Sequence, residues 1–248
     1  MSAPGPFGLP DSIRACLFDL DGVLTRTATV HMAAWKRTFD SFLHDHEPGA
    51  PEFSQLDYNR FVDGKPRADG VRDFLASRGI TLAEGAPGDR ADAATVQGIA
   101  TRKNQLVLEE LAVHGVEVYP GSVDYLRAVQ AAGLATAVVT ASANGEQVIA
   151  AAGFADLIDV RVDGVVTARE GLRGKPFPDT FLAAARTLRV EPAAAAVFED
   201  ALAGVAAGRA GNFGYVVGVD RVGHADELAG AGADIVVKDP AELLEERA

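Results

Sequence analysis

The sequence predicts an α/β fold: a parallel sheet covered by helices on both faces, with a helical unit inserted after the first strand. Three observations predict it. A short apolar run, Ile13-Arg14-Ala15-Cys16-Leu17-Phe18, stops at Asp19 and is followed by the chain-breaking pair Asp21-Gly22. From Tyr119-Pro120-Gly121 onward, strand-length apolar runs alternate with helix-length segments, the rhythm of strand–helix–strand units and so of a parallel sheet. Between the two, the chain reads almost entirely as helix. The sheet domain is therefore discontinuous, 1–27 plus 115–248, and the inserted unit is 28–114.

The elements follow in order. Residues 1–12 contain three prolines and two glycines and predict a loose tail. The first strand follows, ending at Asp19. Thr29 to Phe42 places Val30, Ala33, Ala34, Trp35 and Phe39 at helical spacing. A polar, Pro- and Gly-containing break is expected from His44 to Pro51. Helical pieces are expected at Leu56–Val62, Ala68–Ser77 and Asp92–His114, with a loop at Gly85–Arg90. After the return to the sheet domain, Ser122 to Ala132 predicts a helix with Ser122 as its N-cap. Leu134–Val139 predicts a strand ending at Thr140, Gly145–Ala152 a helix and Val160–Val166 a strand. Pro178–Leu188 predicts a helix, Ala194–Phe198 a strand ending at Glu199-Asp200, and Ala201–Ala210 a helix. Tyr215–Val219 and Asp234–Val237 complete the strands.

At 248 residues and 48% hydrophobic, the chain can bury a full core. Its formal net charge of −12 argues against nucleic acid and anionic membrane as partners. Such a protein binds a phosphorylated ligand only where the site carries its own cations. Cys16 is the single cysteine, so no internal disulfide forms, which fits a reducing compartment. Met1 to Pro10 lacks the basic and apolar regions of a signal peptide. The apolar stretch around Ala131 to Ala141 is far short of the roughly 20 residues that span a bilayer. The expectation is a soluble, cytoplasmic protein.

In open α/β sheets, ligands sit beyond the carboxyl ends of the strands. The residues there are Asp19 and Asp21, then Thr140, then Glu199 and Asp200, with Lys175 in the loop Gly174-Lys175-Pro176. Asp19 and Asp21, two apart, can face one side. One carboxylate can attack phosphorus and carry the phosphoryl group. The other can protonate the leaving oxygen and later take a proton back. Carboxylates repel a phosphate, so a hard cation is expected, and Mg²⁺ prefers oxygen ligands. Asp19, Asp21 through its backbone carbonyl, Asp200 and Glu199 are its candidate ligands. Thr140 and Lys175 would hold the phosphoryl oxygens. Taken singly, each of these residues is an ordinary turn former or cap. In order, on successive strand ends, they form one chemically coherent set.

Asp19-Leu20-Asp21-Gly22-Val23-Leu24-Thr25 resembles the first motif of the haloacid dehalogenase (HAD) superfamily; Thr140, Lys175 and Glu199-Asp200 are similar to its second, third and fourth motifs. The resemblance runs from Ile13 through nearly the whole chain. It implies a Rossmann-like core with a helical cap, an aspartyl-phosphate on Asp19, and Mg²⁺. Within the superfamily the likeness is to the β-phosphoglucomutase-like family, which implies a role in carbohydrate metabolism. That family interconverts β-glucose 1-phosphate and glucose 6-phosphate through a sugar bisphosphate. Thr27-Ala28, His31 and Trp35 match its cap entry, Gly64 and Arg67 its cap loop, Lys103 within Arg102-Lys103-Asn104 a cap segment, and Ser142 and Asn144 its core loop. By resemblance, Thr27, His31, Gly64, Arg67, Lys103, Ser142 and Asn144 are substrate-binding, Arg67 gripping the phosphate that is not transferred. The implied partner is a small phosphorylated sugar and the implied state a monomer.

Two departures bear on the substrate. Arg26 stands where the family usually has an acidic residue, and Ala143 where the mutase has a lysine. Lys65 or Arg26 is the expected replacement cation. The alternative is a sugar-phosphate phosphatase on the same scaffold. A remote alternative is a non-enzymatic phospho-aspartate signalling module, disfavoured because receiver domains lack the Asp-x-Asp pair and the helical insertion.

Overall fold

The computed structural model describes residues 6–245. They divide into two compact units: one formed by the described parts of Met1–Arg26 and Glu117–Ala248, the other by Thr27–Val116.

The first unit is built on six parallel strands: β1 (Ala15–Phe18), β2 (Ala135–Val139), β3 (Val160–Val162), β4 (Ala195–Glu199), β5 (Tyr215–Val219) and β6 (Ile235–Val237). Their order is β3-β2-β1-β4-β5-β6. Ala15 pairs with both Ala135 and Ala195, so β1 lies centrally. All four of its residues are fully buried, which is why its sequence is a continuous apolar run rather than an alternating one. Successive residues still face opposite ways. Ala15 and Leu17 join a core with Phe181, Ala184, Val205 and Phe213, drawn from the helices Asp179–Leu188 and Leu202–Ala210 and the turn beyond. On the other face, Phe18 stacks on Phe198 with ring centroids 4.5 Å apart, and Tyr125 of the helix Pro120–Ala131 meets both.

The strand order reverses at β1: later strands are added on one side through β2 and on the other through β4. The carboxyl ends of β2, β1 and β4 therefore lie side by side, and they carry Thr140, Asp19 and Glu199-Asp200. Such a switch point is where open α/β sheets bind ligands.

The second unit has the helices Thr27–His46, Arg67–Ser77 and Val96–His114, with shorter helical turns over Gln55–Asp57 and Tyr58–Val62. Trp35, Phe39 and Leu43, spaced by four, form the inward face of the first helix. Phe39 is the centre of this core, 4.1 Å from Phe74 and 5.0 Å from Trp35 between ring centroids.

Several sequence expectations are corrected. The strand at Val160–Val166 stops at Val162, because the Asp163 carboxylate accepts from the N–H groups of Val165 and Val166 at 3.0 and 2.9 Å and starts the helix Gly164–Glu170. Ser122 is not an N-cap: Tyr119 takes that position and Pro120 the first helical one. The break expected from His44 begins only after His46. The last cap helix starts at Val96 behind the N-cap Thr95, not at Asp92. The described part of the tail is anchored, since Leu9 is buried and the Tyr125 hydroxyl donates to the Phe7 carbonyl at 2.8 Å; residues 1–5 lie outside the described residues. The helix Ala225–Ala231 adds an element beyond those the sequence predicts. No helix among the described residues is long and apolar enough to cross a membrane.

Candidate active site

Three strand ends and one loop build the site, all within the first unit. The Asp19 N–H donates to the Phe198 carbonyl at 2.9 Å, extending the sheet ladder one residue past β1 and aiming the Asp19 side chain out of it. The turn that follows is tight. Leu20 O accepts from the N–H of Leu24 and from both the N–H and the hydroxyl of Thr25, and Gly22 N–H donates to Thr25 O at 2.7 Å. Gly22 has φ +100°, and a Cβ there would lie 1.8 Å from an Asp200 carboxylate oxygen. Both the backbone conformation and the space demand glycine.

Lys175 is buried at the centre. Its ammonium donates to Asp19 Oδ1 at 2.5 Å, to the Val139 carbonyl at 3.0 Å and to Glu199 Oε1. The other Glu199 oxygen accepts from Ala201 N–H at 3.1 Å. Glu199 fits only because Gly204, in the first turn of the helix Leu202–Ala210, has no side chain: a Cβ there would sit 1.9 Å from the carboxylate. The Thr140 hydroxyl donates to Asp21 Oδ2 at 3.0 Å and accepts from Ser142 N–H at 3.0 Å. Ser142 Oγ in turn accepts from Asn144 N–H at 3.2 Å, just before the helix Gly145–Ala152. Asp19, Asp21, Thr140, Ser142, Asn144, Lys175, Glu199 and Asp200 thus occupy one end of the sheet.

Four carboxylates share this end with one ammonium. Burial drives the Asp19 carboxyl up, to about 8, against the pull of Lys175 and with further push from Glu199 and Asp21. Burial works against the charged form of Lys175 too, but Asp19 and Glu199 outweigh it and hold the ammonium protonated. Asp19, Glu199 and Asp200 each offer a carboxylate oxygen within 4.8 Å of the others.

The remaining expected site residues lie in the second unit. Thr27 is buried at the start of the helix Thr27–His46, with His31 one turn on. His31 Nδ1 lies 2.7 Å from the buried Lys103 ammonium, which also sits 5.0 Å from the Trp35 ring centroid. The Arg102 guanidinium donates to Ser41 Oγ, tying two helices together. Gly64 has φ +69° in the turn before the helix Arg67–Ser77. Arg67 opens that helix; burial lowers its pKa, and it makes no ion pair among the described residues. The expected replacement cations are both engaged: Lys65 pairs with Asp73 at 2.6 Å, and Arg26 lies over the Tyr119 ring and 3.8 Å from Glu117.

Sequence reasoning missed Gly204 and Arg221. Arg221 follows the end of β5 and donates to the carbonyls of Gly22 and Val23. Its place just past a strand end was the available signal.

A family model described as a haloacid dehalogenase-like hydrolase matches residues 13–212. The chain belongs to that family. Like its HAD relatives, it is an enzyme. It is 52% identical over 245 residues to a β-phosphoglucomutase of Mycobacterium bovis, covering 96% of this chain and 94% of that one. It is 31% identical to a validoxylamine A 7'-phosphate phosphatase of Streptomyces hygroscopicus subsp. limoneus, covering 93% and 95%. Among solved structures it is similar to a β-phosphoglucomutase from Clostridium difficile, with a TM-score of 0.75, 26% identity and 94% of each chain covered.

Proposed function

We propose that this HAD enzyme is a magnesium-dependent phosphosugar mutase of the β-phosphoglucomutase type, converting β-glucose 1-phosphate to glucose 6-phosphate. The observation that carries the reading is the meeting of Asp19, Lys175 and the Thr140-bound Asp21 at one sheet end, in a chain 52% identical to a β-phosphoglucomutase.

In this mechanism an Asp19 carboxylate oxygen attacks the phosphorus of a sugar bisphosphate. The bond from phosphorus to the sugar oxygen breaks, and Asp21 gives that oxygen a proton. Once the other sugar phosphate has entered, its free hydroxyl attacks the aspartyl phosphate. Asp21 takes the hydroxyl proton and Asp19 leaves as carboxylate. Lys175 meets the negative oxygens of the phosphoryl group, with the Thr140 hydroxyl and the Ser142 and Asn144 side chains beside it. A site with four carboxylates and one lysine fits a hard divalent cation. Asp19, Asp200 and the Asp21 backbone carbonyl would hold Mg²⁺, which when bound neutralises charge on the phosphoryl oxygens. Glu199, also expected among the ligands, has one oxygen on Lys175 and the other on Ala201 N–H, so we read it first as the holder of the lysine. Thr27, His31, Gly64, Arg67 and Lys103 are proposed to serve the sugar and its second phosphate. An unpaired, half-buried arginine such as Arg67 suits bidentate phosphate binding.

One observation favours the alternative, a sugar-phosphate phosphatase. With Ala143 in the core loop, and with Lys65 and Arg26 already engaged, the second phosphate has fewer free cations than the mutase reading needs. Supplying β-glucose 1-phosphate with a trace of the 1,6-bisphosphate and Mg²⁺ tests both. Glucose 6-phosphate is expected to accumulate; free phosphate as the main product would reject the mutase in favour of the phosphatase.

A further inference from the structure

Arg221 is the most heavily bonded arginine outside the set of residues given a chemical role. It follows β5 and reaches back across the unit to the turn after β1. Its Nε donates to Gly22 O at 2.9 Å and its Nη2 to Val23 O at 3.2 Å. Nη2 also donates to Ser122 Oγ at 2.8 Å, while Nη1 donates to Lys238 O at 2.6 Å and to Asp239 at 3.0 Å. The face of the guanidinium lies 3.6 Å from the Tyr119 ring centroid. Arg26 lies 4.4 Å from the same centroid. Both guanidinium groups therefore lie against the Tyr119 ring.

The partners of this stack matter. Gly22 and Val23 immediately follow Asp21, and their carbonyls are the backbone of the turn that aims its side chain. Tyr119 and Arg26 belong to the two chain segments running between the units. Those segments are zipped together, Arg26 N–H donating to Glu117 O at 2.9 Å and Tyr119 N–H to Leu24 O at 3.0 Å. Gly121 leaves room for Asp239, the carboxylate paired with Arg221: a Cβ there would lie 2.3 Å from it.

We propose that Arg221 is a positioning residue for the proton transfers of Asp21: it clamps the Gly22–Val23 carbonyls and fastens that turn to Tyr119. A fork of fixed donors is required, because one side chain must satisfy carbonyls on two segments and a ring face at once. An ammonium at the same place holds one of these partners and releases the others. The inference rests on the reading of Asp21 as the proton donor to the leaving oxygen.

That dependence supplies the test. A poor leaving group, the sugar oxygen of a sugar phosphate, needs the proton; p-nitrophenolate does not. In Arg221→Lys and Arg221→Gln, kcat on the sugar phosphate is expected to fall roughly 10- to 100-fold, a misplacement that forfeits part of the about 10²- to 10⁴-fold that general acid–base catalysis supplies. On p-nitrophenyl phosphate the burst of p-nitrophenolate, which reports phosphorylation of Asp19 alone and needs no proton donor, is expected to stay within about threefold of wild type. In an Asp21→Asn background the same Arg221 substitutions are expected to cost little more, since the proton donor is already gone. Equal loss on both substrates, or full additivity with Asp21→Asn, would overturn the inference. If Arg221→Gln does not fold, Arg221→Lys and Tyr119→Leu, which removes the stack alone, carry the same comparison. If Asp21→Asn, with Arg221 intact, slows the p-nitrophenolate burst as much as it slows the sugar phosphate, the role of Asp21 as proton donor is itself rejected, so the two failures are distinct.

Discussion

Replacing Gly204 by alanine sets two effects of known sign against each other. An alanine in a helix is favoured over glycine by about 1 kcal/mol. At this position, however, the added Cβ would lie 1.9 Å from the Glu199 carboxylate. The carboxylate would have to retreat about 1.5 Å to reach ordinary van der Waals contact. Glu199 is fully buried and cannot swing into water. The retreat therefore breaks its contact with Lys175 and its 3.1 Å bond from Ala201 N–H. Breaking a buried, hydrogen-bonded ion pair costs about 3–5 kcal/mol, so the net expectation is a loss of about 2–4 kcal/mol. Turnover falls with it, because Lys175 loses one of the two carboxylates that hold it. Gly230, exposed on the helix Ala225–Ala231, is the matched control: a Cβ there meets nothing within 4 Å. Gly230→Ala is expected to gain up to about 1 kcal/mol and leave turnover unchanged. Urea denaturation of the wild type and both variants reads the difference. A Gly204→Ala protein as stable and as active as Gly230→Ala would refute the account of how Glu199 is seated.

The other expectations are simpler. Asp19→Asn should abolish phosphoryl transfer from any donor while the far-ultraviolet circular dichroism stays native; measurable turnover would remove Asp19 as nucleophile. Because burial lifts the Asp19 carboxyl to about 8, metal binding below that pH must expel a proton. Apparent Mg²⁺ affinity should therefore rise by up to about tenfold per pH unit from 6 toward 8, then level off; calorimetry showing a flat profile would contradict this. The same raised carboxyl stabilises the metal-free fold below the unfolded value near 4, and this contribution is lost as pH rises through about 8. Chelated protein should accordingly lose more stability between pH 5 and 8 than protein with Mg²⁺, and denaturation curves that coincide in chelator and in Mg²⁺ would reject it. Arg67→Ala should impair use of a sugar bisphosphate at least tenfold more than hydrolysis of p-nitrophenyl phosphate; equal losses would deny it a phosphate.

The parts of this protein legible in its sequence are those encoded by neighbours along the chain. The run Ala15–Phe18 is apolar throughout because it is covered on both faces, and Asp19 ends it abruptly. The spacing of Trp35, Phe39 and Leu43 states directly which side of their helix is inward. Where local signals compete, the sequence is misleading. The valines at 160, 162, 165 and 166 outweighed Asp163-Gly164, although an aspartate followed by two free N–H groups is a helix start. Ser122 looked like a cap, but Pro120 had already fixed the first helical residue, and the serine hydroxyl was left to receive Arg221.

The chemistry was legible for a different reason. Asp19 and Asp21 are two apart in sequence, and the strand-end rule places Thr140, Glu199 and Asp200 beside them. That rule names which residues gather, but not how their charges are divided. Lys175 is 156 positions from Asp19 and 24 from Glu199, and nothing in its neighbourhood in the chain says that it serves both. The division has consequences. Burial first, and then the charges of Glu199 and Asp21, oppose full ionisation of Asp19 against the pull of the shared ammonium. On the proposed mechanism a nucleophile held protonated is inert, and a divalent cation bound beside Asp19 would favour its ionised form. The proposed metal requirement would then depend on how Glu199 and Lys175 are seated as well as on the ligands themselves. Shifting the Lys175–Glu199 pair should therefore alter the pH at which Mg²⁺ binds, even where Asp19, Asp21 and Asp200 are untouched.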